Sequence, residues 1–430
     1  MTRRKTSCCC CRGTKCQVEL VTPHVPKHRT GRPDNGEQKS GTGPGFSQPR
    51  IPVFVRSSTP TSCQDIYCIA IRWAIISCKL NKKQNINSPD SDTFAYLNFI
   101  ARPKSTAMDR LPALGTAIGQ IVGPTFGIYA ELLKANATAI KSTKCEEFSY
   151  GPHDRQKLDV YYPSSPSKTN DRRPVLIFCY GGGLVRGNKT LKGLADDTAH
   201  ANIGSFFAQK YGYTVIIPDY RLVGQHDAKF PSGGEDVALV VEWICKNGVG
   251  QGSEPIDLFL MGNSAGGVHQ STFLFYPAFA LTREKVTGGS SVRLLGNILL
   301  SVPFDFKAAD PERADVLEAY YDDYDTECPL GLLELLETAE KRHSSVNFLP
   351  GMRFFTLNGD LDPDDEILQP REHFLAAWSK IKNAELRDAM TDGMMKGHNH
   401  ISPCVSLGTG IEKEEAWGHQ VASFCEQSRK

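Results

Sequence analysis

A single serine stands where chemistry is plausible. Ser264 sits at the centre of Gly262-Asn263-Ser264-Ala265-Gly266-Gly267. A serine hydroxyl is a poor nucleophile at neutral pH; it needs a base to take its proton and an acid to orient that base. Two later segments offer these groups in that order. Asn358-Gly359-Asp360-Leu361-Asp362-Pro363 carries two aspartates, and Gly397-His398-Asn399-His400-Ile401-Ser402 carries two histidines. Asp362 precedes Pro363, whose ring stiffens the turn and holds the carboxylate; Asp360, nearer the strand end, is the alternative. His400 is followed by Ile401, an apolar residue that could anchor the loop; His398 is the alternative. His269 and His343 read as background histidines, and Asp305 could lie near the site but receives no role. Attack on a carbonyl also needs N–H donors aimed at the oxygen that becomes charged. Gly182 and Gly183, in Tyr180-Gly181-Gly182-Gly183, can bring backbone N–H groups close because no side chain is in the way. Ala265, following the serine, supplies a third donor.

These residues have to be positioned by regular elements. Ile256 to Met261 is a short apolar run without helical period, the pattern of a buried parallel strand. Val268 to Phe279 reads as a helix. Strand, Gly-x-Ser-x-Gly, helix is a nucleophile elbow, in which the serine projects above the sheet edge at a helix N-terminus. Further strands are expected at 144–150, 157–162, 174–179, 214–217, 294–302 and 352–357, with a last one at Glu385–Met390. Helices are expected near 202–210, from an N-cap at Ser232 through Cys245, at 366–381 and at 412–427. Strands alternating with helices after an opening hairpin imply an α/β fold: a mostly parallel sheet flanked by helices, with its site at the carboxyl ends of the strands.

The rest of the chain bounds the function. It has 430 residues, 40% hydrophobic and 23% charged, which suits a globular protein. Lys+Arg at 49 against Asp+Glu at 48 argues against a broad nucleic-acid surface. Of the 14 Cys, eight crowd the first quarter and six are scattered singly. Scattered cysteines suit reduced, mostly buried thiols, and the early cluster matches no zinc-finger spacing. Ile66 to Cys78 is too short and too interrupted to span a bilayer. Residues 1–107 sustain no apolar period. They read as a disordered tail or as an extension outside the native product, with translation opening at Met108; the second is the expectation adopted. Residues 108–430 form the main domain, with 108–141 and 304–350 as candidate cap elements.

From about residue 145 to 427 the chain resembles the α/β-hydrolase superfamily, and within it the hormone-sensitive-lipase-like carboxylesterases. The motifs that carry the resemblance are Tyr180-Gly181-Gly182-Gly183, Asp219-Tyr220-Arg221-Leu222 with Phe230-Pro231, Gly262 to Gly267, and Gly359 to Pro363. The resemblance implies Ser264, Asp362 and His400 as a catalytic triad, Gly182, Gly183 and Ala265 as an oxyanion hole, and no cofactor; a helical cap or insertion and no metal are expected beside it. The chain departs from the family at Tyr180, where histidine is usual; a phenol can still hold the loop by hydrogen bonding. The Gly397–Ser402 ending is similar to that of fungal hydrolases of secondary metabolism. The expected activity is hydrolysis of a small-molecule carboxylic ester or thioester through an acyl-enzyme, in the cytoplasm. The alternatives are an arylformamidase-like amide hydrolase and a ligand-binding protein on a hydrolase fold.

Overall fold

The computed structural model describes residues 106–167, 169–249, 254–343 and 349–430. Both expectations for residues 1–107 therefore lie, save for Thr106 and Ala107, outside the described residues, as do the early cysteines. Eight strands form one sheet: β1 (Cys145–Ser149), β2 (Lys157–Tyr161), β3 (Arg173–Cys179), β4 (Thr214–Pro218), β5 (Ile256–Asn263), β6 (Val292–Leu300), β7 (Arg353–Leu361) and β8 (Met390–Asn399). Their order across the sheet is β1-β2-β4-β3-β5-β6-β7-β8. β1 and β2 pair antiparallel, β2 meets β4 antiparallel, and every later pairing is parallel. This is the α/β-hydrolase fold.

β5 lies at the middle, paired to β3 on one side and β6 on the other, and all eight of its residues are buried. A strand covered on both faces needs a continuous apolar run, which is why Ile256–Met261 shows no alternation. Helices cover each face. On one side lie α1 (Ser232–Asn247), α2 (Ala265–Phe275) and α3 (Gln369–Trp378). α1 buries Val237, Val240, Val241 and Ile244, a stripe at helical spacing that faces the sheet. On the other side Ile203, Phe206 and Phe207 of the helix Ala201–Tyr211 pack with Trp417, Val421 and Phe424 of the helix Glu412–Ser428.

Two expectations are corrected. Residues 384–387 form a helical turn, capped by the Asn383 side chain accepting from the Leu386 N–H, and the last strand is Met390–Asn399. That strand is a sheet edge and is partly exposed and polar, so it lacks the apolar run that marks an inner strand. Ser232 is the first residue of its helix and not its cap; Pro231 precedes it, and no side chain caps the turn.

The two candidate cap segments differ. The helix Ile118–Ala135 buries Ile128, Tyr129 and Leu133 against Leu111, Ala199 and Val405, and the Tyr129 hydroxyl donates to Glu414. In the second segment, Leu317, Tyr320 and Tyr321 pack with Leu184, Val223 and Ala265, directly over the glycine loop and the elbow.

Candidate active site

β5 ends at Asn263 and α2 begins at Ala265, so Ser264 occupies the turn between them. Its backbone sits at φ 51°, ψ −122°, left-handed space that a serine occupies only at a cost of roughly 1–3 kcal/mol. The turn closes because its flanks are glycines. A Cβ on Gly262 would stand 2.6 Å from the Gly267 Cα, and one on Gly266 would overlap the Cys179 carbonyl. The Ser264 N–H donates to the Leu300 carbonyl at 2.9 Å, tying the turn to β6. Ala265 opens the helix, where an N–H has no intrahelical acceptor.

Of the two histidines, His400 faces the serine. Its Nε2 lies 3.0 Å from Ser264 Oγ, and its Nδ1 lies 3.3 Å from Asp362 Oδ1. His398 points elsewhere: its Nδ1 lies 2.9 Å from Ser402 Oγ, its Nε2 has no partner among the described residues, and burial pushes its pKa down to about 4. The aspartates separate in the same way. Asp362 is buried, whereas Asp360 is exposed and accepts the Gly397 N–H at 2.6 Å. The second oxygen of Asp362 accepts the Ser301 hydroxyl at 2.6 Å and the Gly359 N–H at 2.8 Å. These bonds leave Oδ1 turned to the imidazole. Ser301 was not among the expected site residues; its position one residue past β6, at the carboxyl end of a neighbouring strand, is the only hint in the chain.

The glycine loop runs past the same point. Ser264 Cβ lies 3.1 Å from where a Cβ on Gly181 would stand. Gly182 and Gly183 adopt φ 144° and 59°, and neither donates its N–H to any described residue. Arg313 lies at the rim. Its Nη1 is 3.6 Å from the Cβ position of Gly183, and its Nε is 2.5 Å from Glu366 Oε2. Tyr180, in the place where the resembled family has histidine, donates its phenol to Asp219 Oδ1 at 2.6 Å. Its ring lies between His200 and Tyr220, stacked at 5.2 and 4.7 Å.

The background residues are also accounted for. His269 is buried edge-on to Tyr220 at 4.6 Å, and burial pushes its pKa down to about 3. Asp305 meets His373 Nδ1 at 2.8 Å. The His343 side chain lies outside the described residues. Among the described residues, no group of three or more His, Cys, Asp or Glu stands close enough to hold a metal ion, and no helix is long and apolar enough to cross a membrane.

Known proteins resemble parts of this chain. The BD-FAE family model matches residues 158–276, the span from β2 through the elbow and α2. The bile salt-activated lipase of Bos taurus is 24% identical over 201 residues, covering 45% of this chain and 31% of the lipase. The probable isoprenylcysteine alpha-carbonyl methylesterase ICMEL2 of Arabidopsis thaliana is 30% identical over 139 residues, 31% of this chain and 28% of that protein. The chain thus spans about a third or less of the length of these curated relatives. Among solved structures, the esterase LipW from Mycobacterium marinum aligns with a TM-score of 0.48 at 17% identity, over 76% of this chain and 98% of its own. By its sheet order and its serine elbow the chain has the α/β-hydrolase fold, and part of its sequence is similar to known lipases and esterases.

Proposed function

We propose that the chain hydrolyses carboxylic esters or thioesters through an acyl-enzyme on Ser264. One observation carries the reading: a serine held at φ 51° on a strand–helix elbow, with its Oγ 3.0 Å from an imidazole that in turn meets a buried carboxylate. Ser264 Oγ attacks the acyl carbon as His400 Nε2 takes its proton. Asp362 holds the Nδ1–H tautomer and the charge that forms on the ring. The carbonyl oxygen gains its charge among the N–H groups of Gly182, Gly183 and Ala265, which act as the oxyanion hole. His400 then hands the proton to the departing alcohol or thiol, and the acyl group stays on Ser264. A water deprotonated by His400 attacks that acyl group and releases the acid. No step needs a cofactor. The 304–350 segment acts as a cap, with Leu317, Tyr320 and Tyr321 forming an apolar wall over the serine. The relatives' names, a lipase and a probable methylesterase, support an ester as the scissile bond. The Gly397–Ser402 segment suggests an acyl ester of secondary metabolism.

Ser264→Ala tests the reading. It removes the nucleophile and keeps the glycines that permit the turn, so the fold survives. Turnover is expected to fall by roughly a million-fold, and labelling by a fluorophosphonate probe to vanish. Short-chain acyl esters, acyl thioesters, polyketide-type acetate esters and formanilides form the substrate panel. A folded alanine variant that turns over esters at the wild-type rate defeats the mechanism. A wild-type protein that resists the probe is a binding protein, and one that prefers formanilides is an amidase.

A further inference from the structure

Arg155 lies in the turn between β1 and β2, at the sheet edge and far in sequence from every residue of the site. Its side chain is only 12% exposed, and four of its five N–H donors are used. Nη2 donates to the Gly187 carbonyl at 2.6 Å and to the Tyr180 hydroxyl at 3.0 Å. Nη1 donates to Asn188 Oδ1 at 2.9 Å, and Nε to the Tyr220 carbonyl at 2.6 Å. Tyr180 is the residue before the glycine loop, and Gly187 and Asn188 close it. One guanidinium therefore holds both ends.

Asp219 completes the clasp. It lies 3.7 Å from Arg155 Nη2, and its Oδ1 accepts both the Tyr180 hydroxyl and the Lys189 N–H at 2.6 Å. The Tyr220 hydroxyl donates to the Tyr180 carbonyl at 2.7 Å. The loop folds back so tightly that a Cβ on Gly187 would stand 2.6 Å from Tyr180 Cε2.

Between the fastened ends run Gly181, Gly182, Gly183 and Leu184, with positive φ at the last three. Such a segment has high conformational entropy when free. Oxyanion donors help only if they already point at the site when charge develops. Inside the loop, the Val185 and Arg186 N–H groups donate to the Gly182 carbonyl at 3.3 and 3.1 Å, and its far side is tied to the segment after β4, where the Val223 N–H donates to the Leu184 carbonyl at 3.0 Å and Gln225 Nε2 to the Val185 carbonyl at 2.7 Å; none of these bonds holds Tyr180 or Gly187, the ends that Arg155 grips. We infer that Arg155, working through Tyr180, Gly187 and Asp219, is the positioning residue that holds the oxyanion loop in its active shape. The inference rests on the serine-hydrolase reading. It also explains how tyrosine can stand where the resembled family has histidine: the longer side chain reaches the Arg155–Asp219 pair.

Arg155→Ala and Arg155→Lys test this in the full-length protein. Ester kcat is expected to fall about a hundredfold in the alanine variant with KM within about twofold, because a displacement near 1 Å costs that much in an aligned site. Lysine has no fork and restores only part of the loss. Added guanidinium ion raises kcat of the alanine variant and leaves wild type unchanged. Affinity for a boronic acid, which occupies the oxyanion position, falls in step with kcat. A second measurement does not depend on activity: hydrogen exchange of the Val185, Arg186 and Lys189 amides speeds up in the variants while that of β5 does not change. If the alanine variant fails to fold, the lysine variant carries both measurements. Unchanged kcat with unchanged exchange at these amides overturns the inference, as does a loss in kcat that guanidinium does not rescue and that follows thermal stability alone. Wild-type protein without esterase activity refutes the hydrolase reading instead, and the exchange data still decide whether Arg155 holds the loop.

Discussion

Two loops meet at Ser264, and they are built on opposite plans. The glycine loop after β3 is fastened from outside, by Arg155, Asp219, Tyr220 and His200, whose Nδ1 meets the Asn188 carbonyl at 2.8 Å. The histidine loop after β8 is fastened mostly from within. Asn399 Oδ1 accepts the N–H groups of Ile401 and Ser402 at 3.1 and 3.0 Å, and Ser402 Oγ accepts the Asn399 N–H at 3.1 Å. These bonds within a few residues are those of an Asx-type turn. The contrast follows from what each loop presents. Backbone N–H donors held at φ 144° and 59° favour glycines at 182 and 183, and glycines supply no side chains to brace themselves. An imidazole needs only to be aimed, which a self-bonded turn and one carboxylate can do.

The sharpest way to break this comparison is to exchange the roles of the two histidines. His400→Ala is expected to lower kcat by about a million-fold, whereas His398→Ala, whose ring faces Ser402, costs little turnover. Initial rates on one ester check both, and the reverse ranking makes His398 the base. Next in size is the contrast between the two aspartates. Asp362→Asn is expected to cost about ten-thousand-fold through loss of the correct tautomer. Asp360→Asn is expected to stay within a few-fold, since its partner is the Gly397 N–H; equal losses in kcat/KM defeat the separation of the two.

On the other loop, Tyr180→Phe keeps the ring between His200 and Tyr220 and removes two contacts of the clasp, those of the hydroxyl with Arg155 and Asp219. A loss in kcat of about tenfold is expected, smaller than that of Arg155→Ala, because Arg155 still grips Gly187. A variant as slow as Arg155→Ala would place the whole brace on the phenol.

The smallest effect concerns pH. Burial holds His200, His269 and His398 near pKa 4, 3 and 4, below the ordinary 6.5. The unfolded chain takes up protons that the native state refuses, so their contribution to stability is full above about pH 6.5 and is lost progressively as pH falls toward about 4. Urea midpoints measured between pH 7 and 5 are expected to fall, and His269→Phe to flatten that fall. A slope unaltered by the substitution removes His269 from the account.

Much of the architecture could be read before any fold was seen, because its causes are local. An apolar run without period marks β5 wherever it sits. The glycines around Ser264 mark a turn that only glycine can close. The spacing of Val237, Val240, Val241 and Ile244 marks a helix face. β8 escapes such a reading for the complementary reason: an edge strand with an exposed face carries no such run.

The residue types, their order and the elbow were thus determined by the sequence itself, through backbone sterics and the periodicity of burial. Which aspartate and which histidine meet was decided only by the tertiary structure. β7 and β8 shift register between Gly359 and Leu361, which sets Leu361 opposite Asn399, and residues two apart then face different surroundings. Ser301 and Arg155 were invisible for the same reason. Their effect depends on reaching a carboxylate or a carbonyl that the chain brings near only when the sheet has closed, and no local pattern records a contact between β6 and β7, or between an edge hairpin and a loop 25 or more residues away.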